Sequence, residues 1–167
     1  GDTVSICKNE SVSLVEQGTD VQTWLWNTGS NDPYINVGTA GDYSVTVTNT
    51  LGCKGIDSTY YKISGEAPTV YFEADTVCFG DSTTFINAST INLPDAIDTY
   101  QWTFGDDSLS VIAEPRHHYQ SADTFVVQLT VTAVSGCSSF YSDSVVVKPN
   151  PQAGFFIENG ENHCTSN

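Results

Sequence analysis

Cysteine is the residue type in this chain whose spacing most directly implies chemistry. The 167 residues include five cysteines, with no Cys-x-x-Cys pair and no cysteine–histidine cluster of the kind that binds zinc. We therefore predict two disulfides, Cys7 with Cys53 and Cys78 with Cys137, and a free thiol at Cys164. Loops of this length would each contribute roughly 4 kcal/mol to stability. Spacing alone leaves the other pairings open, but any disulfide implies an oxidising compartment.

A group of carboxylates forms a second candidate site. Asp106 and Asp107 are adjacent, and Asp95 and Asp98 precede them by about ten residues. Because Ca²⁺ takes about six to eight oxygen ligands, we name Asp106 and Asp107 as candidate calcium ligands. The spacing is not that of an EF-hand, and the alternative is that these carboxylates are solvated turn residues. No other cofactor is expected.

Histidine and serine do not combine here into a catalytic pattern. His117 and His118 are adjacent, and neighbouring residues of a strand point to opposite faces, so they are poorly placed to bind one metal ion. The chain has no Gly-x-Ser-x-Gly sequence and no acid with an identifiable base. We therefore expect no catalytic residues and no enzymatic activity.

The charge balance excludes some classes of partner. Five Lys and Arg residues stand against twenty Asp and Glu, a net charge of −15. Such a surface repels nucleic acid and anionic lipid and attracts divalent cations. No apolar run approaches the roughly 20 residues that span a bilayer, and the first residues do not resemble a signal peptide. We expect any export signal or anchor to lie outside these residues.

The elements that must position these side chains are predicted to be strands. In 43–48, residues Tyr43, Val45 and Val47 alternate with polar ones, and 125–131 alternates in the same way. The other predicted strands are 11–15, 24–26, 34–37, 70–73, 83–86, 100–104 and 143–147. Short strands separated by turn residues predict an all-β chain of β-sandwiches. Trp26 and Trp102 are predicted to lie in the core, the alternative being an aromatic platform for sugars.

The sequence also repeats itself. An early cysteine, a Trp-x-x-Gly, an alternating strand and a Gly-Cys occur in that order twice, and the pattern starts again near Phe155. We predict three parts: an Ig-like repeat at 1–66, a second domain at 67–149 and a truncated third repeat at 150–167. Prolines between the parts, at Pro68 and at Pro149 and Pro151, predict short, stiff connectors.

The second repeat carries residues of a known family. Tyr100-Gln101-Trp102-Thr103-Phe104-Gly105-Asp106-Asp107, then Pro115-Arg116-His117-His118-Tyr119, resembles the PKD domain, an immunoglobulin-like sandwich of extracellular proteins. The family pattern has Asp where this chain has Thr103 and Gly where it has Asp107. The resemblance implies a structural role for His117.

The first repeat lacks the Pro-x-His-x-Tyr element. It resembles the Ig-like repeats of long Bacteroidota surface proteins, some of which are gliding-motility adhesins and type IX secretion cargo. This resemblance also implies O-glycosylation at Asp-Ser/Thr sites, at Thr3, Ser58, Thr76, Ser82, Ser108 and Ser144. Simple abundance of these residue types is the alternative explanation.

Together these observations predict a structural spacer segment of a secreted or surface-anchored bacterial adhesin. Its expected partners are neighbouring repeats of the same chain, together with surface glycans or other cell-surface proteins. The alternatives are accessory repeats of a multidomain secreted enzyme and a carbohydrate-binding module in its own right.

Overall fold

The computed structural model describes residues 2–154, and within that range every regular element is a strand. The predicted start of a third repeat falls almost entirely beyond it, as does Cys164. The first unit consists of β1 (Asp2–Cys7), β2 (Val12–Val15), β3 (Thr23–Trp26), β4 (Tyr34–Val37), β5 (Gly41–Thr48) and β6 (Lys54–Gly65).

The second unit contains the remaining strands. They are β7 (Phe72–Ala74), β8 (Val77–Cys78), β9 (Thr83–Asn87), β10 (Ile97–Thr103), β11 (Leu109–Ser110), β12 (Arg116–His117), β13 (Thr124–Ala133) and β14 (Ser138–Lys148). The two units share no sheet.

Each unit pairs a larger sheet with a smaller one. In the first unit the sheet β1-β6-β5-β3 is accompanied by the antiparallel pair β2-β4. In the second unit the sheet β11-β10-β13-β14-β8 is accompanied by β12-β9-β7. The last strand of each unit pairs in parallel with an early one, β6 with β1 and β14 with β8. This common order is that of an Ig-like β-sandwich, and the predicted all-β class is confirmed.

Alternation along the central strands builds the two cores. Val127, Leu129 and Val131 of β13 are fully buried, whereas Val126, which precedes them, is exposed, as predicted. In β5, Val45 is buried with Tyr43 and Val47 packed beside it. Neighbouring strands contribute the other buried residues, because the inward-facing positions of the two sheets pack against each other in the space between the sheets.

The two tryptophans occupy the predicted core positions. Trp102 is fully buried and Trp26 is 5% exposed. Each indole N–H donates to a backbone carbonyl at 2.9 Å, of Asp32 for Trp26 and of Ile112 for Trp102. Burial of this kind leaves no ring face for a sugar, so the sugar-platform alternative is wrong for both residues.

Several boundaries differ from the predicted ones. The last strand of each unit begins earlier than predicted: β14 begins at Ser138 and not at Asp143, and β6 begins at Lys54, before the Asp57-Ser58 pair after which the sequence predicts a final strand. Exposed polar residues such as Asp57 and Ser142 interrupt the apolar pattern there. These strands form because both of their neighbours supply hydrogen-bond partners, which the pattern of one segment does not reveal.

Candidate functional site

The loop after β10 is organised by a histidine–aspartate pair. His117 Nε2 lies 2.7 Å from Asp106 Oδ2, and the Ser108 N–H donates to Asp106 Oδ1 at 3.1 Å. The His117 ring stacks on Phe104 with centroids 4.2 Å apart and meets Tyr119 edge-on. The Tyr119 hydroxyl in turn donates to the Phe104 carbonyl. His117 therefore ties the loop to the smaller sheet.

The electrostatics of this pair favour a charged carboxylate. Burial by itself would raise the pKa of Asp106, but the hydrogen bonds from His117 and from the Ser108 backbone outweigh it, and the pKa lies below the usual value. Burial, followed by the nearby Asp106 charge, raises the pKa of Tyr119 far above its usual value. The Tyr119 hydroxyl is therefore a proton donor at neutral pH, not a base.

The four carboxylates considered as calcium ligands do not assemble. Asp98 lies near the start of β10, roughly 17 Å of strand from Thr103 at its end, and Asp106 lies in the turn beyond that end. Asp95 contacts Ser135 instead, at the opposite end of the sandwich, and Asp107 is exposed with a left-handed φ of 66°. Both Asp106 oxygens already accept hydrogen bonds. A calcium ion at Asp106 and Asp107 stays a prediction, and it would compete with His117.

The two adjacent histidines face opposite sides, as predicted. His117 packs among aromatic rings, whereas His118 is exposed and its Nδ1 lies 3.3 Å from the Asp81 carbonyl. Across residues 2–154, no three His, Cys, Asp or Glu side chains converge in a way that could hold a metal ion.

The predicted cysteine pairing is wrong. Cys7 bonds to Cys137, across the two units, with Cα atoms 5.6 Å apart. Cys53 and Cys78 are free and exposed. The structure therefore replaces two bridges within units by one bridge between them.

Strand direction explains the correction. Cys7 lies opposite Gly65, the last residue of β6, whereas Cys53 immediately precedes its first residue. About twelve residues of extended strand separate the two, roughly 35–40 Å, and a disulfide needs Cα atoms within about 7 Å. Cys78 lies opposite Lys148 at the end of β14, and Cys137 precedes the start of that strand. Each predicted pair would have had to span the full length of a sandwich.

The bridge is the centre of a compact junction. The Lys8 N–H donates to the Gly65 carbonyl at 2.7 Å, and the Ser64 hydroxyl donates to the Ile6 carbonyl while lying 3.5 Å from Cys137 Sγ. The first two contacts fix the end of β6 within the first unit, and the contact of Ser64 with Cys137 places that end next to the turn that carries Cys137.

Glu66, in the connector, is held from both sides. Its Oε2 lies 3.2 Å from Lys8 Nζ in the first unit and 3.4 Å from Asn92 Nδ2 in the second. The hydrogen bond from Lys8, then that from Asn92, then the Lys8 charge lower the pKa of the Glu66 carboxyl. Because solvent screens this exposed pair, Lys8 and Glu66 orient the connector more than they stabilise it.

At Gly65 the backbone of the first unit lies in close contact with side chains of the second. A Cβ atom placed there would lie 2.5 Å from both the Asp95 carboxylate and the Ser135 side chain. Asp95 Oδ1 accepts the N–H groups of Ala96 and Ser135, and hydrogen bonding to the Ser135 side chain is the largest of the effects that lower its pKa. Only a residue without a side chain allows this approach.

Residues 65–148 match the PKD domain family. The chain belongs to that family. The match begins at Gly65 and ends with β14, so it covers the second unit.

Individual relatives are similar to parts of the chain. Collagenase ColA of Bacillus cereus is 41% identical over 54 residues, which is 32% of this chain and 6% of that protein. The PKD1 domain of Vibrio anguillarum Epp is 27% identical with a TM-score of 0.47, covering 51% of this chain and 98% of that one. The PKD1 domain of the Vibrio cholerae metalloprotease PrtV is 30% identical with a TM-score of 0.45, covering 49% and 98%. This chain therefore spans only a small part of the collagenase.

PKD membership agrees with the chemistry of the His117 loop. A PKD domain is a non-catalytic module, and in this one the histidine is engaged by Asp106 and two aromatic rings. Residues 2–154 contain no helix that is long and apolar enough to cross a membrane.

The predicted glycosylation residues lie mostly on the surface. Thr3 and Ser58 in the first unit and Thr76, Ser82 and Ser144 in the PKD domain are exposed, whereas Ser108 is half-buried. Their modification stays a prediction.

Sequence reasoning missed the junction residues. Gly65, Asp95 and Ser135 are far apart in the sequence, and no local pattern links them. The available signal was topological: if the first and last strands of each repeat run parallel, the early and late cysteines must lie at opposite ends. That rule was enough to exclude the predicted pairs.

Proposed function

We propose that this chain is a spacer segment, made of tandem sandwiches, of a secreted or surface-anchored bacterial adhesin. The observation that carries the proposal is the junction, where a disulfide, the Glu66 contacts and the close approach at Gly65 join successive units. A hinge that serves motion would not need all three.

The connector itself supports a fixed arrangement. Only Glu66 and Ala67 separate the end of β6 from Pro68, which is buried. The next residue, Thr69, exchanges paired 2.9 Å backbone hydrogen bonds with Thr90. A connector this short, followed at once by sheet-like pairing, restricts swivel between units.

The location that we propose is extracellular. A disulfide is stable in an oxidising compartment, and a net charge of −15 favours solubility over contact with nucleic acid. The resemblance of the first unit further suggests a Bacteroidota surface protein exported by type IX secretion, in the class of gliding-motility adhesins. Neighbouring repeats are the proposed direct partners, with surface glycans or cell-surface proteins as distal ones.

A second candidate function has a specific observation in its favour. The similarity to Collagenase ColA suggests that the chain could instead be an accessory or carbohydrate-binding segment of a multidomain secreted enzyme. Binding of the chain to a glycan or collagen array would favour this function. Absence of binding, together with a rigid extended shape, would favour the spacer.

Small-angle scattering tests the spacer proposal. A rigid end-to-end pair should have a maximum dimension on the order of 70 to 80 Å, allowing about 35 to 40 Å for each unit. The matched variant carries Cys7→Ser together with Cys137→Ser, which removes the covalent link and should broaden the distance distribution. A wild-type particle in which the units lie side by side would contradict the proposal.

We further propose that the chain lacks catalytic activity and that calcium acts on it, if at all, as a stabiliser. Thermal unfolding in millimolar Ca²⁺ and in chelator distinguishes these cases, because an ion that binds only the folded state raises stability. Asp107→Asn is the informative variant, since Asp106 is already engaged by His117. Identical unfolding in both conditions would remove the calcium proposal.

A further inference from the structure

Cys78 occupies the same place in the second unit as the bonded Cys7 does in the first. Cys53 occupies the same place in the first unit as the bonded Cys137 does in the second. Cys78 lies opposite Lys148 at the end of the last strand, as Cys7 lies opposite Gly65. The following backbone is also matched: the Phe79 N–H donates to the Lys148 carbonyl at 2.8 Å, and the Lys8 N–H donates to the Gly65 carbonyl at 2.7 Å.

The turns that follow these early cysteines match as well. The Asp81 N–H donates to the Cys78 carbonyl and the Glu10 N–H to the Cys7 carbonyl, at 3.0 and 3.2 Å. A residue with positive φ occupies the same position of both turns, Gly80 in one and Asn9 in the other. The backbone around Cys78 therefore has the same turn geometry and hydrogen bonding as the backbone around Cys7.

The turns that carry the late cysteines are likewise equivalent. The Asn49 N–H donates to the Cys53 carbonyl at 3.0 Å, and the Ala133 N–H donates to the Cys137 carbonyl at 2.8 Å. The glycine before each cysteine has a similar positive φ, 81° at Gly52 and 86° at Gly136. The difference is burial: Cys137 is fully buried by the preceding unit, whereas Cys53 is exposed.

The connectors complete the equivalence. Proline follows the strand end by three residues in both cases, Pro68 after Gly65 and Pro151 after Lys148. In both, a connector side chain holds the residue after the early cysteine. Glu66 contacts Lys8 in the first connector, and Asn150 Nδ2 donates to the Phe79 carbonyl at 2.8 Å in the second.

We propose that Cys78 and Cys53 are the two halves of further junction disulfides, each formed with another repeat of this same construction. The early cysteine of one unit bonds the late Gly-Cys of the unit that follows it, so that Cys78 takes a late cysteine and Cys53 takes an early one. The partner surface is the end of a sandwich, and the contact is head-to-tail, which generates open chains and not closed dimers.

The chemistry is ordinary thiol oxidation. Two thiols lose two protons and two electrons and form one S–S bond, and a disulfide oxidant such as oxidised glutathione is reduced to two thiols. This inference rests on the proposed spacer function only in that both require repeats in tandem, and the two are tested by different measurements.

Two copies of this chain reproduce the predicted contact, because the Cys78 end of one copy can meet the Cys53 end of another. In a Cys164→Ser background, Cys53→Ser and Cys78→Ser variants should each form few dimers at high protein concentration in a glutathione redox buffer. A mixture of the two should form dimers and stop there, with Cys78 of one copy joined to Cys53 of the other in peptide maps. The Cys164→Ser chain with both thiols should give a ladder of higher species.

Heterotypic dimers should exceed homotypic ones several-fold. Dimerisation of either single variant to the same extent as the mixture would overturn the inference, and so would a mixture that yields only glutathione adducts. Neither result would bear on the scattering test, which concerns the shape of one copy. A compact monomer that still forms heterotypic dimers would contradict the spacer function alone.

Discussion

The two units share a strand order but differ in how their cores are closed. The buried cluster of the first unit has five residues, Trp26, Ile35, Val37, Val45 and Tyr61, whereas that of the second has eleven. In the second unit, the His117 ring also stacks on Phe104 and meets Tyr119 edge-on at one side of the core. A smaller core leaves the first unit closer to the limit at which a sandwich of about 65 residues is stable alone.

Their buried tyrosines show the same difference. The Tyr119 hydroxyl donates to the Phe104 carbonyl, whereas the buried Tyr61 hydroxyl has no hydrogen-bond partner among the described residues. An unpaired buried hydroxyl costs about 1–3 kcal/mol. The buried Thr83 hydroxyl of the second unit is also unpaired among the described residues, so we infer from the smaller core that the first unit depends on its bridge to the second as well as on its own packing.

The largest expected effect comes from the equivalent tryptophans. Trp102→Ala and Trp26→Ala should each cost about 3–5 kcal/mol of unfolding free energy, because a large buried ring is removed. Since the first unit starts from the smaller core, Trp26→Ala should unfold it fully while the PKD domain stays folded. Denaturant titration monitored by hydrogen exchange separates the two units.

The exposed Val126→Ala change serves as the control and should have little effect on either transition. If Trp102→Ala left both units as stable as the wild type, or if the two tryptophan variants unfolded the whole chain identically, the proposed asymmetry would be wrong.

An intermediate effect is expected at the point of contact between the units. Gly65→Ala places a methyl group against Asp95 and Ser135, and the displacement required should cost about 1–3 kcal/mol. The Ser135 amide, which is hydrogen-bonded to Asp95, should then exchange faster. Gly41→Ala is the matched control because nothing lies within 4 Å of the added atom. Equal exchange in the two variants would show that the junction is looser than described.

The core positions could be predicted from the sequence, but the cysteine pairing could not. Alternation in 125–131 was sufficient to place Val127, Leu129 and Val131 inward, and the two Trp positions followed from the repeat. Pairing between cysteines did not follow, because it depends on which end of a sandwich each cysteine occupies. That is a property of strand direction across the whole unit. The same holds for Asp95, which its sequence neighbourhood groups with Asp106 but which the fold places at the junction.

The smallest expected effect is a pH dependence that belongs to the PKD domain alone. The folded pKa of Asp106 lies below its unfolded value, so its contribution is present above the unfolded value of about 3.9 and is lost as pH falls through the folded pKa. Asp106→Asn should cost about 1–2 kcal/mol at neutral pH and flatten the acid side of the stability curve. The curve of the first unit should not change.

Exposed Asp107→Asn provides the comparison and should leave the stability of the PKD domain and its acid dependence nearly unchanged. An Asp106→Asn curve parallel to the wild-type curve between about pH 2 and 4 would show that the pKa of Asp106 is not lowered in the folded state.

The central claim is that successive units are joined covalently at their junction, and non-reducing peptide mapping of the whole chain tests it most directly. We expect one linked peptide pair that joins Cys7 to Cys137, with Cys53 and Cys78 open to alkylation before reduction. Reduction should release Cys7 and Cys137 together. A map that joined Cys7 to Cys53, or Cys78 to Cys137, would contradict the account of the junction and with it the proposed dependence of the first unit on the second.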